Sequence, residues 1–255
     1  MIITPEQVQQ YHNQGFCVLK NMIPQEHLEN LRAECGHYIN VMHEEMDRMG
    51  TDTLGISHRN SRYFISRRGL ESAKLSGFLF GDLMAQVTEA LLGQNVYLFH
   101  EQFVVKSAEK GMKFAWHQDG GYVMAHDGAP HTPYLSCWCP LDDATIENGT
   151  VYILPFDRAG TREIQTHVRE EGTNDQVGYF GTDPGEPVEV PAGSIVAFTS
   201  ATFHRSGPNT TDKMRRVYLA QYSNEPLRKL ADGSLWGWAV PFLEEGKNVA
   251  VVPTT

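Results

Sequence analysis

The stretch NVYLFHEQFVVK, residues 95–106, marks the point where the chain changes character. Before it, apolar residues recur every three or four positions, as in Leu28, Leu31 and Cys35, which predicts amphipathic helices. From residue 95 onward, short apolar runs and alternation with period two predict strands bounded by Gly, Pro, Asn or Asp. The other predicted strands are PYLSCWCPL (133–141), GTVYILP (149–155), EPVEVPAGSIVAFTS (186–200) and RRVYLAQYS (215–223). Such a succession of strands without intervening helices favours a sandwich or jelly roll over a parallel sheet.

The residues before 95 predict a helical layer with one early strand. Thr4, Pro5 and Glu6 form a helix start, and Gly15 ends that helix. FCVL (16–19) is a short predicted strand, and IPQEHLENLRAECGHYINVMHEEMDRMG (23–50) and SGFLFGDLMAQVTEALLG (76–93) are predicted helices. We expect the long polar, glycine-containing excursion from 155 to 187 to lie near one mouth of the barrel.

Composition limits the partners that the chain can have. Acidic residues outnumber basic ones by 31 to 21, for a net charge of −10. A chain of this charge repels phosphate backbones and anionic lipid, so neither nucleic acid nor a membrane surface is an expected partner. The sequence has no secretory signal pattern and no apolar run of the ~20 residues that a transmembrane helix needs. We expect the four cysteines to be reduced and buried and the protein to be cytoplasmic.

Three residues in the strand-rich half predict a metal site. Alternate residues of a strand share a face, so His117 and Asp119 are expected to point the same way, although such a pair alone also occurs by chance. His204 follows the predicted strand that ends at Ser200. Two histidines and one carboxylate, arranged in this way, match the facial triad of non-haem iron oxygenases. Such a triad suits Fe(II) and leaves positions for a bidentate 2-oxoacid and for dioxygen.

The far carboxylate of a dicarboxylic 2-oxoacid requires a cation, and two neighbouring arginines are candidates. Arginine suits this role because its planar guanidinium binds a carboxylate through two parallel hydrogen bonds. Arg215 and Arg216 begin opposite faces of one predicted strand. Periodicity therefore predicts that one of them points inward, and it does not decide which.

The order and spacing of several motifs resemble the phytanoyl-CoA dioxygenase family of Fe(II)- and 2-oxoglutarate-dependent oxygenases. These motifs are ITPEQVQQYHNQGFCVL (3–19), WHQD (116–119), ENGTVYILPFDR (147–158), VPAGSIVAF (190–198) and HRSGPNTTDKMRRVYL (204–219). The resemblance implies a mainly β double-stranded β-helix (a cupin-like jelly roll) with a helical N-terminal layer. It also implies Fe(II), with 2-oxoglutarate and dioxygen as co-substrates.

The resemblance implies roles for particular residues. His117, Asp119 and His204 would bind the metal. The family arginine lies eleven residues beyond the distal histidine, which favours Arg215 over Arg216. Residues at three further family positions would line the co-substrate pocket: Gln118, Trp138 and Ser206. The presence of Asp119 argues against halogenation, because related halogenases have a small residue at that position.

We therefore expect one catalytic domain over 1–255. Its parts would be a mostly helical region (1–95), a jelly-roll core (96–225) and a C-terminal segment near the active-site mouth (226–255). The expected reaction is oxidation of an unactivated C–H bond of a small metabolite by hydroxylation, desaturation or cyclisation, in a monomer or homodimer. The alternatives are a cupin-like metal-dependent isomerase or hydrolase, and a jelly roll that binds a small molecule without catalysis.

The sequence does not identify the substrate, but it offers candidate residues for the entrance of the active site. RNSRYFISRRG (59–69) is a candidate lid, Trp236 and Trp238 could close the mouth, and Tyr122 and His126 follow the metal motif closely enough to meet substrate. The other loop histidines are expected to be solvated: His58, His131 and His167, and His126 unless it meets substrate.

Overall fold

The computed structural model describes residues 2–108, 113–171 and 176–252. The helices are α1 (Pro5–Gln14), α2 (Gln25–Met49), α3 (Ala73–Leu79), α4 (Asp82–Leu92), α5 (Asp119–Ala125) and α6 (Phe156–Ala159). The strands of the first half are β1 (Phe16–Leu19), β2 (Thr53–Leu54), β3 (Ser57–His58), β4 (Arg62–Ser66), β5 (Val96–Lys106) and β6 (Phe114–His117). Those of the second half are β7 (Leu135–Pro140), β8 (Val151–Leu154), β9 (Val168–Arg169), β10 (Gln176–Val177), β11 (Glu186–Pro187), β12 (Ile195–Thr199), β13 (Phe203–Ser206), β14 (Arg215–Ser223), β15 (Val240–Glu244) and β16 (Lys247–Asn248).

Two antiparallel sheets form the jelly roll. The major sheet has the order β1-β12-β7-β14-β5-β4-β3-β2, and β15 joins it beside the first residues of β5. The minor sheet has the order β11-β8-β13-β6. One apolar cluster, which includes Trp138, Ile153, Phe198 and Leu219, fills part of the space between the sheets. This architecture confirms the predicted mainly β, double-stranded β-helix fold.

The helical layer covers the outer face of the major sheet. Leu31 and Cys35 of α2 and Met84 of α4 belong to one buried cluster with Cys137 and Tyr218 of the sheet. The helices thus bury the face of the sheet that the minor sheet does not cover, as the amphipathic spacing before residue 95 predicts. This arrangement leaves the inner face of the sheet for a site.

Two predicted elements differ from the structure. The stretch 76–93 lies in two helices, because the chain turns at Gly81, where a Cβ would lie 2.5 Å from the Gly77 carbonyl oxygen. The stretch 59–69 is not a lid, because its central residues form β4 and pair with β5 inside the major sheet. The excursion from 155 to 187 contains α6 and three two-residue strands, and its residues 172–175 lie outside the described part of the chain.

Two further expectations concern cysteines and membrane spans. All four cysteines are buried and unpaired, as predicted. None of the described helices has both the length and the apolar character needed to cross a bilayer.

Candidate active site

Two histidines lie side by side on the minor sheet. His117 ends β6 and His204 lies in β13, and the two residues are direct partners in the antiparallel register. Their ring centroids are 4.1 Å apart. Residues opposite each other on neighbouring strands point to the same face, so strand pairing alone brings together two side chains that are 87 positions apart in the sequence.

Asp119 completes the cluster, although not by the predicted strand alternation. The strand ends at His117, Gln118 is the N-cap and Asp119 is the first residue of α5. The Asp119 Oδ1 atom still lies 3.7 Å from Nε2 of His117 and 3.4 Å from Nε2 of His204. The prediction of a continuing strand was therefore wrong, but the three side chains converge as expected. Their possible ligand atoms all lie within 4.8 Å of one another.

Backbone carbonyls orient both imidazole rings toward a common point. Nδ1 of His117 lies 2.8 Å from the Ala115 carbonyl oxygen, and Nδ1 of His204 lies 3.0 Å from that of Thr202. A carbonyl can only accept, so each Nδ1 carries a proton, and each Nε2 faces the carboxylate of Asp119. Burial, with the neighbouring His204, lowers the pKa of His117 to about 3, so this ring is neutral near pH 7.

Two side chains of the major sheet hold the other oxygen of Asp119. The Ser136 hydroxyl donates to Oδ2 over 2.6 Å, and the Gln221 amide donates to the same atom over 3.0 Å. Burial alone would raise the pKa of Asp119, but attraction to His204 and His117 and the Ser136 bond keep this pKa below its ordinary value. The carboxylate is therefore ionised, and its Oδ1 is turned toward the histidines.

The two glycines after Asp119 allow the long excursion to pack against the site. A Cβ on Gly120 would lie 2.4 Å from Ile164, and one on Gly121 would lie 2.1 Å from the ring of His167. Nε2 of His167 accepts a hydrogen bond from the Gln118 backbone N–H at 2.9 Å. His167 is therefore not the solvated loop residue that the sequence predicted, and burial lowers its pKa.

The side chain of Gln118 points away from the cavity that the triad lines. Its amide nitrogen donates to the carbonyls of Glu163 (2.9 Å) and Ala201 (2.6 Å), and its Oε1 accepts from the Gln165 N–H (2.7 Å). Gln118 is not among the residues that line the cavity. This placement corrects the expectation that Gln118 lines a co-substrate pocket, because the side chain is fully used in anchoring two loops.

The cavity between the sheets has a volume of about 580 Å³ and contains Arg215, Trp138 and Ser206 together with the triad. Arg215 is 1% exposed, and its Nη2 donates to the Gly149 carbonyl at 3.1 Å. Its Nε and Nη1 have no hydrogen-bond partner within the described part of the chain. Burial lowers the pKa of Arg215 to about 10, so the side chain is still a cation at neutral pH.

Arg216 lies on the opposite face of β14, away from this cavity. Its Nε and Nη2 donate to the two carboxylate oxygens of Asp142 at 3.0 and 2.6 Å. The structure thus separates two arginines that periodicity could not rank. Arg215 is the one with unused donors inside the cavity.

One buried cation next to the cavity was not predicted from the sequence. Lys106 is fully buried at the end of β5, and its Nζ donates to the Ser206 hydroxyl at 2.7 Å. The alternation of β5 could have predicted its direction, because Lys106 shares a face with Gln102 and His100, which line the cavity.

Three of the four residues predicted to lie near the mouth line the cavity, namely Tyr122, His126 and Trp236. The indole N–H of Trp236 donates to the His126 carbonyl at 3.0 Å. Trp238 instead lies under Arg67, outside the cavity lining. His131 stacks on Tyr134, with ring centroids 5.4 Å apart, and burial lowers its pKa, so the expectation of a solvated side chain was wrong there too.

The donor set fits an octahedral ion that prefers nitrogen and oxygen ligands. Two imidazoles and one carboxylate on one side of an ion form the facial arrangement of non-haem iron sites. The fold and this cluster together define the class as a double-stranded β-helix with a facial metal triad. Residues 11–217 match the family model described as "Phytanoyl-CoA dioxygenase (PhyH)". The chain therefore belongs to the phytanoyl-CoA dioxygenase family, which confirms the resemblance seen in the sequence.

Individual relatives agree with this membership, and a solved structure shares the fold. The chain is 28% identical to L-proline trans-4-hydroxylase of Streptomyces griseoviridis over 66% of this chain and 67% of that protein. It is 26% identical to ectoine dioxygenase of Bordetella bronchiseptica, over 87% and 76% of the two chains. The fold is similar to that of the non-haem α-ketoglutarate dependent carbocyclase SnoK from nogalamycin biosynthesis. For SnoK the TM-score is 0.71 and the identity 16%, with 92% of this chain and 94% of the other covered.

Proposed function

We propose that this protein binds Fe(II) through His117, Asp119 and His204, binds 2-oxoglutarate beside them and oxidises a C–H bond of a small metabolite. The observation that carries the proposal is the pair of unused donors on Arg215 in the cavity that the triad lines. A buried guanidinium whose Nε and Nη1 lack partners costs free energy unless an acceptor binds to it. A carboxylate accepts charge-assisted hydrogen bonds from such a group.

The residues around Arg215 would hold the far end of the co-substrate. Ser206 offers a hydroxyl that Lys106 already contacts, and Trp138 lies below the guanidinium, with its ring centroid 5.6 Å from Cζ. The carboxylate would thus meet two buried cations and a hydroxyl. Gln118 has no part in this proposal, because its side chain does not reach the cavity.

The protein part of the reaction is binding and orientation. When bound, ferrous iron and 2-oxoglutarate supply oxidative decarboxylation to succinate and carbon dioxide, with one atom of dioxygen in succinate and the other in the hydroxylated product. His117 and His204 present their Nε2 atoms, and Ser136 and Gln221 fix the carboxylate that faces them. The cavity walls would hold the substrate with one C–H bond toward the triad, and the choice among hydroxylation, desaturation and cyclisation depends on that placement.

The wider setting of this activity is also proposed. A cavity of about 580 Å³ fits a metabolite-sized molecule. The similar proteins are named for L-proline and ectoine, which are small molecules. Four unpaired cysteines support a reducing, cytoplasmic location, and we propose a single catalytic domain that works as a monomer or homodimer.

The two neighbouring arginines provide a matched test of the co-substrate site. Arg215→Gln should raise the 2-oxoglutarate concentration at half-maximal binding by about 10- to 100-fold, because a charge-assisted hydrogen bond contributes about 1.5–3 kcal/mol. Arg216→Gln should leave it within about twofold. The measurement is titration of the anaerobic Fe(II) protein, followed by its metal-to-ligand absorption band. An effect of Arg216→Gln with none from Arg215→Gln would contradict the assignment.

The metal site has its own test. His117→Ala and Asp119→Ala should each abolish iron retention and succinate formation together, because each removes one of three ligands. Iron content after gel filtration and succinate release measure the two outcomes. A variant that kept full turnover would refute the proposed site.

A further inference from the structure

Three buried cations lie in one row across the major sheet. Lys106 on β5 pairs in register with Arg62 on β4 at one side and with Arg215 on β14 at the other. All three are nearly inaccessible, with exposures of 7% for Arg62, 0% for Lys106 and 1% for Arg215. Buried positive charges are costly unless an anion accompanies them. The far carboxylate of 2-oxoglutarate offsets one such charge.

The two arginines of this row point in different directions. The Cζ atom of Arg215 lies 5.6 Å from the ring of Trp138 on β7, which is the strand beyond β14. The Cζ atom of Arg62 lies 5.9 Å from the ring of Phe64 on its own strand, and its Nε donates to the Ile56 carbonyl at 2.8 Å. Their Cα atoms are two strand spacings apart, about 10 Å. Arg215 thus turns toward β7, whereas Arg62 stays along its own strand.

Arg62 has no acidic partner within the described residues. The ion pairs of the described part of the chain involve other arginines and Lys74 or join Asp119 to the two histidines. Asp119 is the acidic side chain of the cavity lining, and the histidines, Ser136 and Gln221 already surround it. Arg62 thus lines a cavity whose described carboxylate, that of Asp119, is already surrounded by other partners.

Polar side chains connect Arg62 with the triad. Gln102 and His100 line the cavity on the same face of β5 as Lys106. His100 is paired in register with Gln221, which donates to Asp119. At the other end, Ile56 lines the cavity and is 42% exposed, so the cavity reaches the surface near Arg62. A molecule could therefore enter past Ile56, bind Arg62 through an anionic group and extend along β5 toward the metal ligands.

We propose that Arg62 is a second anion-binding position, separate from that of Arg215, and that the substrate carries a carboxylate, phosphate or phosphonate group that binds there. This inference rests on the proposed function, since it assigns the Arg215 position to 2-oxoglutarate. It deepens that function by naming the chemical class of the substrate. The shared chemistry is an oxyanion that accepts two parallel N–H bonds from one guanidinium.

The test uses three probes of similar shape and different charge. Benzoate, phenylphosphonate and the neutral benzamide are titrated by calorimetry into the full-length protein loaded with Mn(II) and saturated with 2-oxoglutarate. Wild-type protein should bind the two anions and bind benzamide at least tenfold more weakly. Arg62→Gln should weaken anion binding at least tenfold, because a charge-assisted pair of hydrogen bonds is lost. The comparison of benzoate with phenylphosphonate distinguishes a carboxylate from a phosphonate substrate.

Two further variants separate this inference from the proposed function. Arg67→Gln removes an exposed arginine just after β4 that is outside the cavity lining, and it should leave probe affinity unchanged. Arg62→Gln should keep 2-oxoglutarate affinity within twofold, which also shows that it folds, whereas Arg215→Gln should lose that affinity. Equal anion binding by wild type and Arg62→Gln would overturn the second position. A loss of 2-oxoglutarate affinity in Arg62→Gln would overturn it too, by assigning Arg62 to the co-substrate. Failure of wild type to bind 2-oxoglutarate would instead refute the proposed function.

Discussion

At the scale of single residues, the site depends on side chains that never meet the ion themselves. Ser136 and Gln221 both donate to Oδ2 of Asp119, and Gln221 also donates to the Ser136 hydroxyl at 3.0 Å. Together they fix which carboxylate oxygen faces the histidines. Partners of this kind orient metal ligands and raise metal affinity.

Ser136→Ala tests this orienting role. We expect Mn(II) affinity to fall by about 10- to 100-fold, because one of the two donors to Asp119 is lost. The matched control is Ser223→Ala, which removes a buried hydroxyl that has no hydrogen-bond partner within the described residues. Calorimetric titration of the metal-free proteins measures both. Equal affinities for the two variants would contradict an orienting role for Ser136.

At the scale of elements, loops and helix ends are held against the site by a few tight contacts. Gln118 anchors the excursion through Glu163 and Gln165 and anchors the turn before His204 through Ala201. Gly15 ends α1 with φ at +89°, and a Cβ there would lie 2.5 Å from Oγ1 of Thr202. Both positions support the backbone that carries His204, since the Thr202 carbonyl accepts from Nδ1 of that histidine.

Gln118→Ala should loosen the excursion without changing the co-substrate site. The amide of Gln165 loses its acceptor, so its hydrogen exchange should become faster, while 2-oxoglutarate affinity stays within about twofold. Exchange followed by mass spectrometry and co-substrate titration measure the two effects. A large loss of 2-oxoglutarate affinity with unchanged exchange would favour the pocket role that the sequence suggested.

Gly15→Ala should destabilise the protein by about 2–5 kcal/mol. Left-handed backbone costs a residue with a Cβ about 1–2 kcal/mol, and an overpacked contact adds about 1–3 kcal/mol. Gly50 is the matched control, because its φ is +63° and nothing lies within 4 Å of a Cβ placed there. Gly50→Ala should therefore show the strain alone. Urea denaturation measures both, and equal losses would exclude the steric contribution at Gly15.

At the scale of the whole molecule, the major sheet is shared between a helical layer and a polar cavity. The helix-facing side also holds a buried ionisable group that the site does not use. Glu101 is fully buried, accepts from the Gly69 N–H at 2.9 Å through Oε1, and lies close to Tyr218. Burial raises its pKa above the usual 4.5.

This raised pKa should make folding stability depend on pH. Above pH 4.5 the unfolded chain releases the Glu101 proton while the folded protein keeps it, so stability falls as pH rises toward the folded pKa. Glu101→Gln removes this loss and keeps an acceptor for Gly69. Its free energy of unfolding relative to wild type should therefore increase between pH 4 and pH 7.5, as measured by urea denaturation. A difference that stays constant across this range would contradict a raised pKa.

The sequence by itself determined the fold class, the family and the three metal-binding candidates. The strands lie where alternation predicts them, because burying one face of a sheet requires apolar residues at every second position. The metal-binding candidates could be found because each lies in a short motif. His117 and Asp119 lie in WHQD, and His204 begins HRSGPNTTDKMRRVYL. The positions of the excursion, of the stretch 59–69 and of the Gln118 side chain could not be predicted, since their contacts are made with residues distant in the sequence.

Periodicity could not rank Arg215 and Arg216, and the family spacing only favoured Arg215. The tertiary structure shows that Arg215 faces inward, because the two faces of β14 become inside and outside only when the second sheet covers one of them. The pairing of the strands also placed Lys106 and Arg62 in one row with Arg215. Lys106 is about a hundred positions away from Arg215 in the sequence. Arg62 lies in the stretch 59–69, which the sequence suggested as a lid. Strand register, which sets these neighbours, depends on pairing across the whole sheet and not on any single segment.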